Sequence, residues 1–505
     1  MAALFPSYVI TVLELFRKHG FEAYVVGGAV RDLLCGKHPH DYDIVTSARP
    51  EETRRLCKGA GLSVVENLGE NFGVLVLLVE GRAVEVAAYR KEVYGTDAHR
   101  PSGVAYCQTL EEDLARRDFT VNAMAMDLAG NLTDPYSGQR DLEHHVLRVV
   151  GSPSDRFSED ALRMFRACRF VAQLGFLPEA GILPAIKAEA PRAKGLSLSR
   201  VKAELHKLLR APYAGQGMNL MVQSGLAGMS CRIKKEGTYE SVPILPELLD
   251  LVGVPQNPRF HPFDVWGHIW HALDHSDGSL TLGWAILLHD VGKGRKGVRG
   301  IRPDGMPSDH GHDKVGKAMA ESILHRLGEN GALVNRVAFL VGNHMHFGPA
   351  RFLPDAALWR WLRKEARSGA FRCTKDLQEA FRELGTLCLA DMAGTTASAG
   401  RPGAGGPFCL PDWPATTASA ESQALARHFA DQLFLMAGTM PVHTADLAIS
   451  GRDLIAAGIP QRVLKRLLPL LLSRVQDRNL SNTPEALQRA ADIWWKKEKE
   501  KGPTS

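Results

Sequence analysis

Tyr24-Val-Val-Gly-Gly-Ala-Val-Arg-Asp-Leu33, followed by Asp41-Tyr-Asp43 at the end of a basic loop, decides how this chain is read. Tyr24 to Val26 is a short apolar run suited to a buried strand. Gly27 and Gly28 let backbone N–H groups come close to a phosphate, and Ala29 to Leu34 has the character of a helix beginning there. Asp41 and Asp43 flank Tyr42 in a strand-like segment, so both carboxylates are expected on one face. Paired hard oxygen ligands suit Mg²⁺, which takes one or two carboxylates together with substrate phosphates. Either half alone reads as a surface turn; a phosphate cradle and a carboxylate pair this close together point to metal-assisted nucleotidyl transfer.

Three further motifs follow in order. They are Arg116-Arg-Asp-Phe-Thr-Val-Asn-Ala-Met124, then Asp134-Pro-Tyr-Ser-Gly138 running on to Asp141-Leu, then Glu159-Asp-Ala-Leu-Arg163 continuing through Arg166 and Arg169-Phe. Together with residues 27–50 they resemble the signature of polymerase-β-like nucleotidyltransferases, in the branch holding bacterial CCA-adding enzymes and poly(A) polymerases. The resemblance implies catalytic Asp41 and Asp43 on Mg²⁺, and phosphates held by Gly27, Gly28 and Arg31. It implies a sugar and triphosphate wall from Arg116, Asp118 and Asn122. Asp160 and Arg163, with Arg166 alongside, would bind the incoming base. A strand glutamate, Glu85, is a third carboxylate candidate that faces outward at least as readily.

The base-reading role has a chemical rationale. Cytosine and adenine both present an amino donor beside a ring-nitrogen acceptor, which a carboxylate and a guanidinium complement. Guanine and uracil reverse that polarity, and each buried mismatch costs about 1–3 kcal/mol. Ser158 is the expected N-cap of a helix over this motif, with Asp160 and Arg163 on one face by their three-residue spacing. Between the strands and Arg116, the polar segment Arg90 to Arg100 resembles the loop that lets one pocket move from CTP to ATP. Asp97 and Arg100 stand at its acidic and basic positions.

A second metal-ligand pattern lies downstream. His268 falls in an apolar-aromatic helix, His289-Asp290 follows another apolar helix, and Asp391 comes later in Leu-Ala-Asp-Met. This order resembles the HD phosphohydrolase signature, which implies a divalent transition metal of unknown identity that acidifies a bound water. His310, His312 and His344 are candidates for a second metal or for substrate phosphate. Lys293, Arg295, Lys296 and Arg299 form either a phosphate-attracting or a solvated basic loop.

Length and composition set the frame. At 505 residues the chain exceeds one compact core, and its 45% hydrophobic and 23% charged content is that of a globular protein. A net charge of +5 permits a nucleic-acid partner without requiring one. Eight cysteines without a CxxC pair argue against structural zinc and a disulfide framework, and fit a reducing cytoplasm. No signal-peptide pattern or membrane-length apolar run is evident, so no membrane association is expected.

The expected fold class is α+β. A polymerase-β-like nucleotidyltransferase head covers 1–148 and an all-α neck and body 149–255. An HD domain covers 256–398, a linker or loop 399–425, and a helical, tRNA-binding tail 426–505. Ile449-Ser-Gly-Arg-Asp-Leu resembles the tail of CCA-adding enzymes, and Lys234 and Lys235 are either phosphate contacts or solvated charges. The implied activity is template-independent addition of CCA to tRNA from CTP and ATP, with no protein partner expected. An A-adding enzyme, a poly(A) polymerase and an RNA-binding HD hydrolase are the alternatives.

Overall fold

The computed structural model describes residues 4–65, 73–94, 101–258, 261–395 and 420–500. Asp97, Arg100 and most of the expected linker lie outside them. By their contacts the described residues fall into two compact units that divide between residues 250 and 251.

The first unit opens with α1 (Ser7–Lys18), which buries Val9, Val12, Leu13 and Phe16 along one stripe. Next come β1 (Ala23–Val26), α2 (Gly28–Leu34), β2 (Asp43–Thr46), α3 (Pro50–Gly59), β3 (Ser63–Val65), β4 (Val74–Val79) and β5 (Arg82–Ala88). The hairpin β6 (Arg90–Tyr94) and β7 (Pro101–Tyr106) leads to α4 (Leu110–Ala115), β8 (Ala125–Met126) and β9 (Leu132–Thr133). Seven of these strands form one sheet in the order β3-β4-β5-β2-β1-β8-β9. In it, β2 runs antiparallel to β1 and parallel to β5, which places Val26, Asp43 and Glu85 side by side.

Beyond the sheet the unit becomes helical. It continues through α5 (Gly138–Glu143), β10 (Val146–Leu147), α6 (Pro153–Glu159), α7 (Leu162–Leu174), β11 (Leu177–Pro178), α8 (Ile182–Glu189), α9 (Leu198–Leu209) and α10 (Ala214–Gln223). Helix α7 is central, burying ten of its side chains, among them Arg163 and Arg169. Gly217 of α10 lets that helix pack closely, since a Cβ there would lie 2.5 Å from the Cys168 carbonyl oxygen.

Two expectations need correction in this unit. The body is not all helix: β12 (Ser230–Lys235) and β13 (Thr238–Pro243) form an antiparallel hairpin. Glu236 and Gly237 at its tip both have positive φ, 47° and 88°, the backbone a two-residue hairpin turn requires. Ser158 is not an N-cap either. It lies inside α6 with its hydroxyl donating to the Asp155 carbonyl, while Asp160 ends α6 and caps the next turn by accepting from the Leu162 N–H at 2.9 Å.

The second unit is built on helices. It contains α11 (Val265–Leu273), α12 (Leu280–Leu288), the short hairpin β14 (Arg299–Ile301) and β15 (Pro307–Asp309), α13 (His312–Arg326), α14 (Gly331–Ala350), α15 (Asp355–Ala366) and α16 (Thr374–Ala393). Then come α17 (Ala420–Ala437), α18 (Gly451–Ala456), α19 (Gln461–Gln476) and α20 (Pro484–Glu500). The last three share a core of Leu454, Leu467, Leu471 and Leu487. Arg363 of α15 and Arg367 just beyond its end reach Asp477 at 2.7 and 3.1 Å, tying the final helices to the rest of the unit. Among the described residues, no helix is long and apolar enough to cross a membrane.

Candidate active site and candidate metal centre

In the first unit one cavity of about 560 Å³ gathers most of the motif residues. Its floor is the middle of the sheet, where β1, β2 and β5 run side by side. Gly27 has φ 72°, and a Cβ on it would meet the Arg117 guanidinium at 3.3 Å, so glycine is required twice over. Asp43 opens β2 and Glu85 is its direct neighbour across the parallel pair, so the two carboxylates share a face. Glu85 is thus brought into the site. Asp41 precedes the strand and does not belong to it, but Tyr42 is buried between two exposed aspartates, so the expected alternation survives.

The Asp43 carboxyl is pushed above its usual range by loss of solvent and by the nearby Glu85 and Asp41, with Arg117 pulling the other way. Crowded carboxylates that resist ionising together are the donor set a hard divalent cation relieves. These residues therefore fit Mg²⁺.

The opposite wall is rich in arginine. Arg31 donates from Nη1 to the Asn122 side-chain oxygen at 2.8 Å, and Arg166 donates from Nε to Asp118 at 2.6 Å. Burial opposes ionisation of Asp118, yet Arg166 and the Phe119 N–H hold its carboxyl below the usual range. Arg116 donates from Nε to Asp113 at 3.0 Å, and Arg117 pairs with the same buried carboxylate at 3.3 Å.

The geometry of the base-reading motif differs from the expected helix face. Arg163 donates to Glu159 at 2.5 Å and to the Arg116 carbonyl at 3.2 Å, while Asp160 accepts from Arg200 of α9 at 3.3 Å. Asp160 and Arg163 nevertheless line the same cavity as Asp43. Arg117 and Arg200 also line it and were not singled out from sequence. Arg117 sits inside the Arg116-Arg-Asp motif, so the signal was present; Arg200 is far along the chain and carried none.

In the second unit the histidines and aspartates converge. His268, His289 and Asp290 form one ligand group, and Asp290, His312 and His344 a second. The Nε2 atoms of His268 and His289 lie 3.3 Å apart, as do those of His312 and His344. Asp391 approaches His268 Nε2 at 2.8 Å and His289 Nε2 at 3.7 Å. Each remaining ring nitrogen of His289, His312 and His344 bonds a backbone carbonyl, of Ile286, Asp309 and Val341, at 2.6–2.7 Å. That leaves Nε2 of each as the ligand atom, the arrangement metal-binding imidazoles use.

Charge completes the fit. Burial works against both aspartates, but Lys293 and His289 hold Asp290 well below the usual range, and His268 does the same for Asp391. Burial also disfavours a proton on His289, yet the two aspartates raise it to about 9, marking a strongly cation-seeking cavity. Imidazole nitrogens and carboxylate oxygens together are a donor set that would suit a divalent transition metal.

His310 does not join these groups; it is exposed in the turn before α13. The basic loop is only partly solvated. Lys293 is held by Asp290 at 2.7 Å and Gln256 at 2.8 Å, and Arg299 by Asp309 at 2.9 Å and the Pro255 carbonyl at 2.8 Å. Lys234 and Lys235 stand exposed at the hairpin tip, where Lys235 pairs with Glu240 at 2.9 Å.

Comparison with known proteins finds three family matches along the chain. Residues 23–148 match the family described as "Poly A polymerase head domain", 175–229 the "Probable RNA and SrmB-binding site of polymerase A", and 261–391 the "HD domain". Residues 23–148 thus match a poly(A) polymerase head, and residues 261–391 behind it match an HD domain. Its curated relatives have a more particular name. It is 43% identical to the CCA-adding enzyme of Geobacillus kaustophilus (strain HTA426) over 215 residues, 43% of this chain and 52% of that protein. It is 36% identical to that of Bacillus pumilus (strain SAFR-032) over 276 residues, 55% of this chain and 66% of that protein. The chain thus spans about half to two thirds of the length of these relatives. Its fold is shared with the crystal structure of the Bacillus stearothermophilus CCA-adding enzyme in complex with CTP. The TM-score is 0.60 at 23% identity, covering 99% of this chain and 100% of that one.

Proposed function

We propose that this protein adds CCA to the 3′ end of tRNA from CTP and ATP, without a nucleic-acid template. One observation carries the reading: Asp43 and Glu85, paired on neighbouring central strands, share a cavity with Asp160 and Arg163. A carboxylate floor and a base-reading wall in one pocket are what nucleotide selection coupled to phosphoryl chemistry needs. The relatives named CCA-adding enzyme favour this substrate choice over ATP alone.

Asp41 and Asp43, with Glu85 beside them, would hold Mg²⁺, which supplies charge neutralisation at the triphosphate and a more acidic 3′-hydroxyl. Gly27, Gly28 and Arg31 would receive the phosphates. Arg116, Asp118 and Asn122 would frame the sugar, and the Arg31–Asn122 and Arg166–Asp118 bonds hold that wall ready before the nucleotide arrives. Asp160 would accept from the amino group of cytosine or adenine, and Arg163 would donate to the ring nitrogen. Arg200 steadies the first and Glu159 the second. The body and the last three helices would grip the acceptor arm through its backbone and A-form shape. Abundant tRNA and free cysteines both suit the cytoplasm.

The test uses tRNA transcripts ending before CCA, after C and after CC, each with Mg²⁺ and CTP, ATP or both. Ordered addition of C, C and A supports the reading. Extension of the CC-ended transcript alone, by one A, would reassign the protein as an A-adding enzyme, and long A tracts as a poly(A) polymerase.

A second reading concerns the HD domain, favoured by the two ligand groups that share Asp290. We infer a phosphohydrolase acting on phosphoesters at RNA 3′ ends. Hydrolysis of p-nitrophenyl phosphate or its bis ester that requires Mn²⁺, Ni²⁺ or Zn²⁺ and vanishes in Asp290→Ala tests it.

A further inference from the structure

His261 belongs to neither ligand group of the HD centre, yet its ring stands edge-on to that of His268 with centroids 4.9 Å apart. It is held there by the chain around it. The His261 N–H donates to the Asn257 carbonyl at 3.0 Å, and three residues later Asp264 caps α11, accepting from the Gly267 N–H at 2.6 Å. The Gln256 side chain laces the same turn, donating to the Phe263 and Asp264 carbonyls at 3.3 and 3.2 Å and accepting from Lys293 at 2.8 Å. Ties at Asn257 on one side and Asp264 on the other hold His261 itself.

The ring itself is left incomplete. His261 Nδ1 is buried and has no hydrogen-bond partner. A buried polar atom without a partner costs about 1–3 kcal/mol, so such atoms in a rigid setting mark where another molecule completes the site. The surroundings say what kind of molecule. His268 is a metal ligand candidate, and Lys293, which donates to Gln256 of the same turn, is already neutralised by Asp290 at 2.7 Å. An imidazole N–H is a donor suited to the non-bridging oxygens of a phosphate, and His261 stands beside a residue that would hold a metal able to attract one.

We propose that His261 is a substrate-contacting residue of the HD centre, donating from Nδ1 to a phosphoester oxygen. This rests on the phosphohydrolase reading of that domain. It makes His261 a binding group separate from the metal ligands, so its removal should separate phosphate affinity from metal affinity.

The experiment uses the full chain loaded with Mn²⁺ and inorganic phosphate as the probe, read by ³¹P relaxation, with metal stoichiometry measured alongside and Asp290→Ala as the blank for metal and phosphate held by the head. His261→Ala should weaken phosphate about 10-fold, the loss of one charge-assisted hydrogen bond, with Mn²⁺ stoichiometry and affinity unchanged. His261→Asn, whose amide N–H stands where Nδ1 stood, should recover most of that loss. Equal phosphate affinity in wild type and His261→Ala would overturn the proposal. So would a parallel fall in Mn²⁺ affinity, which would make His261 a support for the ligands, or a metal-loaded wild type that binds no phosphate. Nucleotide addition by the head serves as the folding control. A wild type that binds phosphate but hydrolyses no phosphoester would sink the hydrolase reading alone, and the phosphate arm would still decide His261.

Discussion

Asp43 and Asp118 show how neighbours set the behaviour of a carboxylate. Asp43 is stripped of solvent and crowded by Glu85 and Asp41, so its charge is disfavoured until a cation relieves it. Asp43→Ala should lower nucleotide addition by about 10³-fold in kcat, as expected when a preorganised charge at the reacting phosphate is lost. Glu85→Gln should have a smaller effect, seen mainly as a changed Mg²⁺ requirement in steady-state titrations. Asp118 is the opposite case, a carboxylate whose pKa Arg166 depresses. A depressed carboxylate contributes stability above its unfolded pKa, and that stability is lost as pH falls through the folded value. Arg166→Met should therefore cost stability at neutral pH, about 1–3 kcal/mol. The lower part of that range applies because the Arg166 side chain is 37% exposed. Urea midpoints against pH should show the gap between variant and wild type closing below pH ~4.

Elements place these residues where sequence spacing cannot. Adjacent motif positions are legible because a glycine pair, a carboxylate pair and an Arg-Arg-Asp run each sit within one local segment. The Asp43–Glu85 pairing depends on a strand register between segments forty residues apart, and a one-residue slip would turn Glu85 away. Ser158 misled for a related reason. Two helices meet at Asp160, and which residue caps the second depends on where the first stops. Packing of α10 on α7 gives a test at this scale. Gly217→Ala should lower the thermal midpoint at a cost of about 1–3 kcal/mol, because the added carbon has no room against Cys168 and Ala172. The buried Arg169–Glu204 pair, 2.5 Å long, joins α7 to α9. Glu204→Ala should cost about 3–5 kcal/mol by leaving a buried guanidinium unpaired, again read from urea midpoints.

At the scale of the whole molecule the two units should answer to metals separately. A transition metal bound only by folded protein stabilises it by about 2.7 kcal/mol at a hundred times its Kd. Calorimetry with added Ni²⁺, which imidazole ligands favour over an all-oxygen site, should raise the transition of the unit holding His268 to His344 more than that of residues 1–250. Asp290→Ala should abolish the shift, since both ligand groups share that residue. The sequence alone determined the order of motifs, the helical character after residue 150 and the identity of nearly every candidate ligand, because each rests on local chemistry and short periodicity. Only the tertiary structure decided that Glu85 joins the carboxylates, that Arg163 leans on Glu159, that His310 stands apart and that His261 faces the HD centre. Those outcomes depend on register, helix ends and packing between distant segments, where no spacing along the chain reports distance in space.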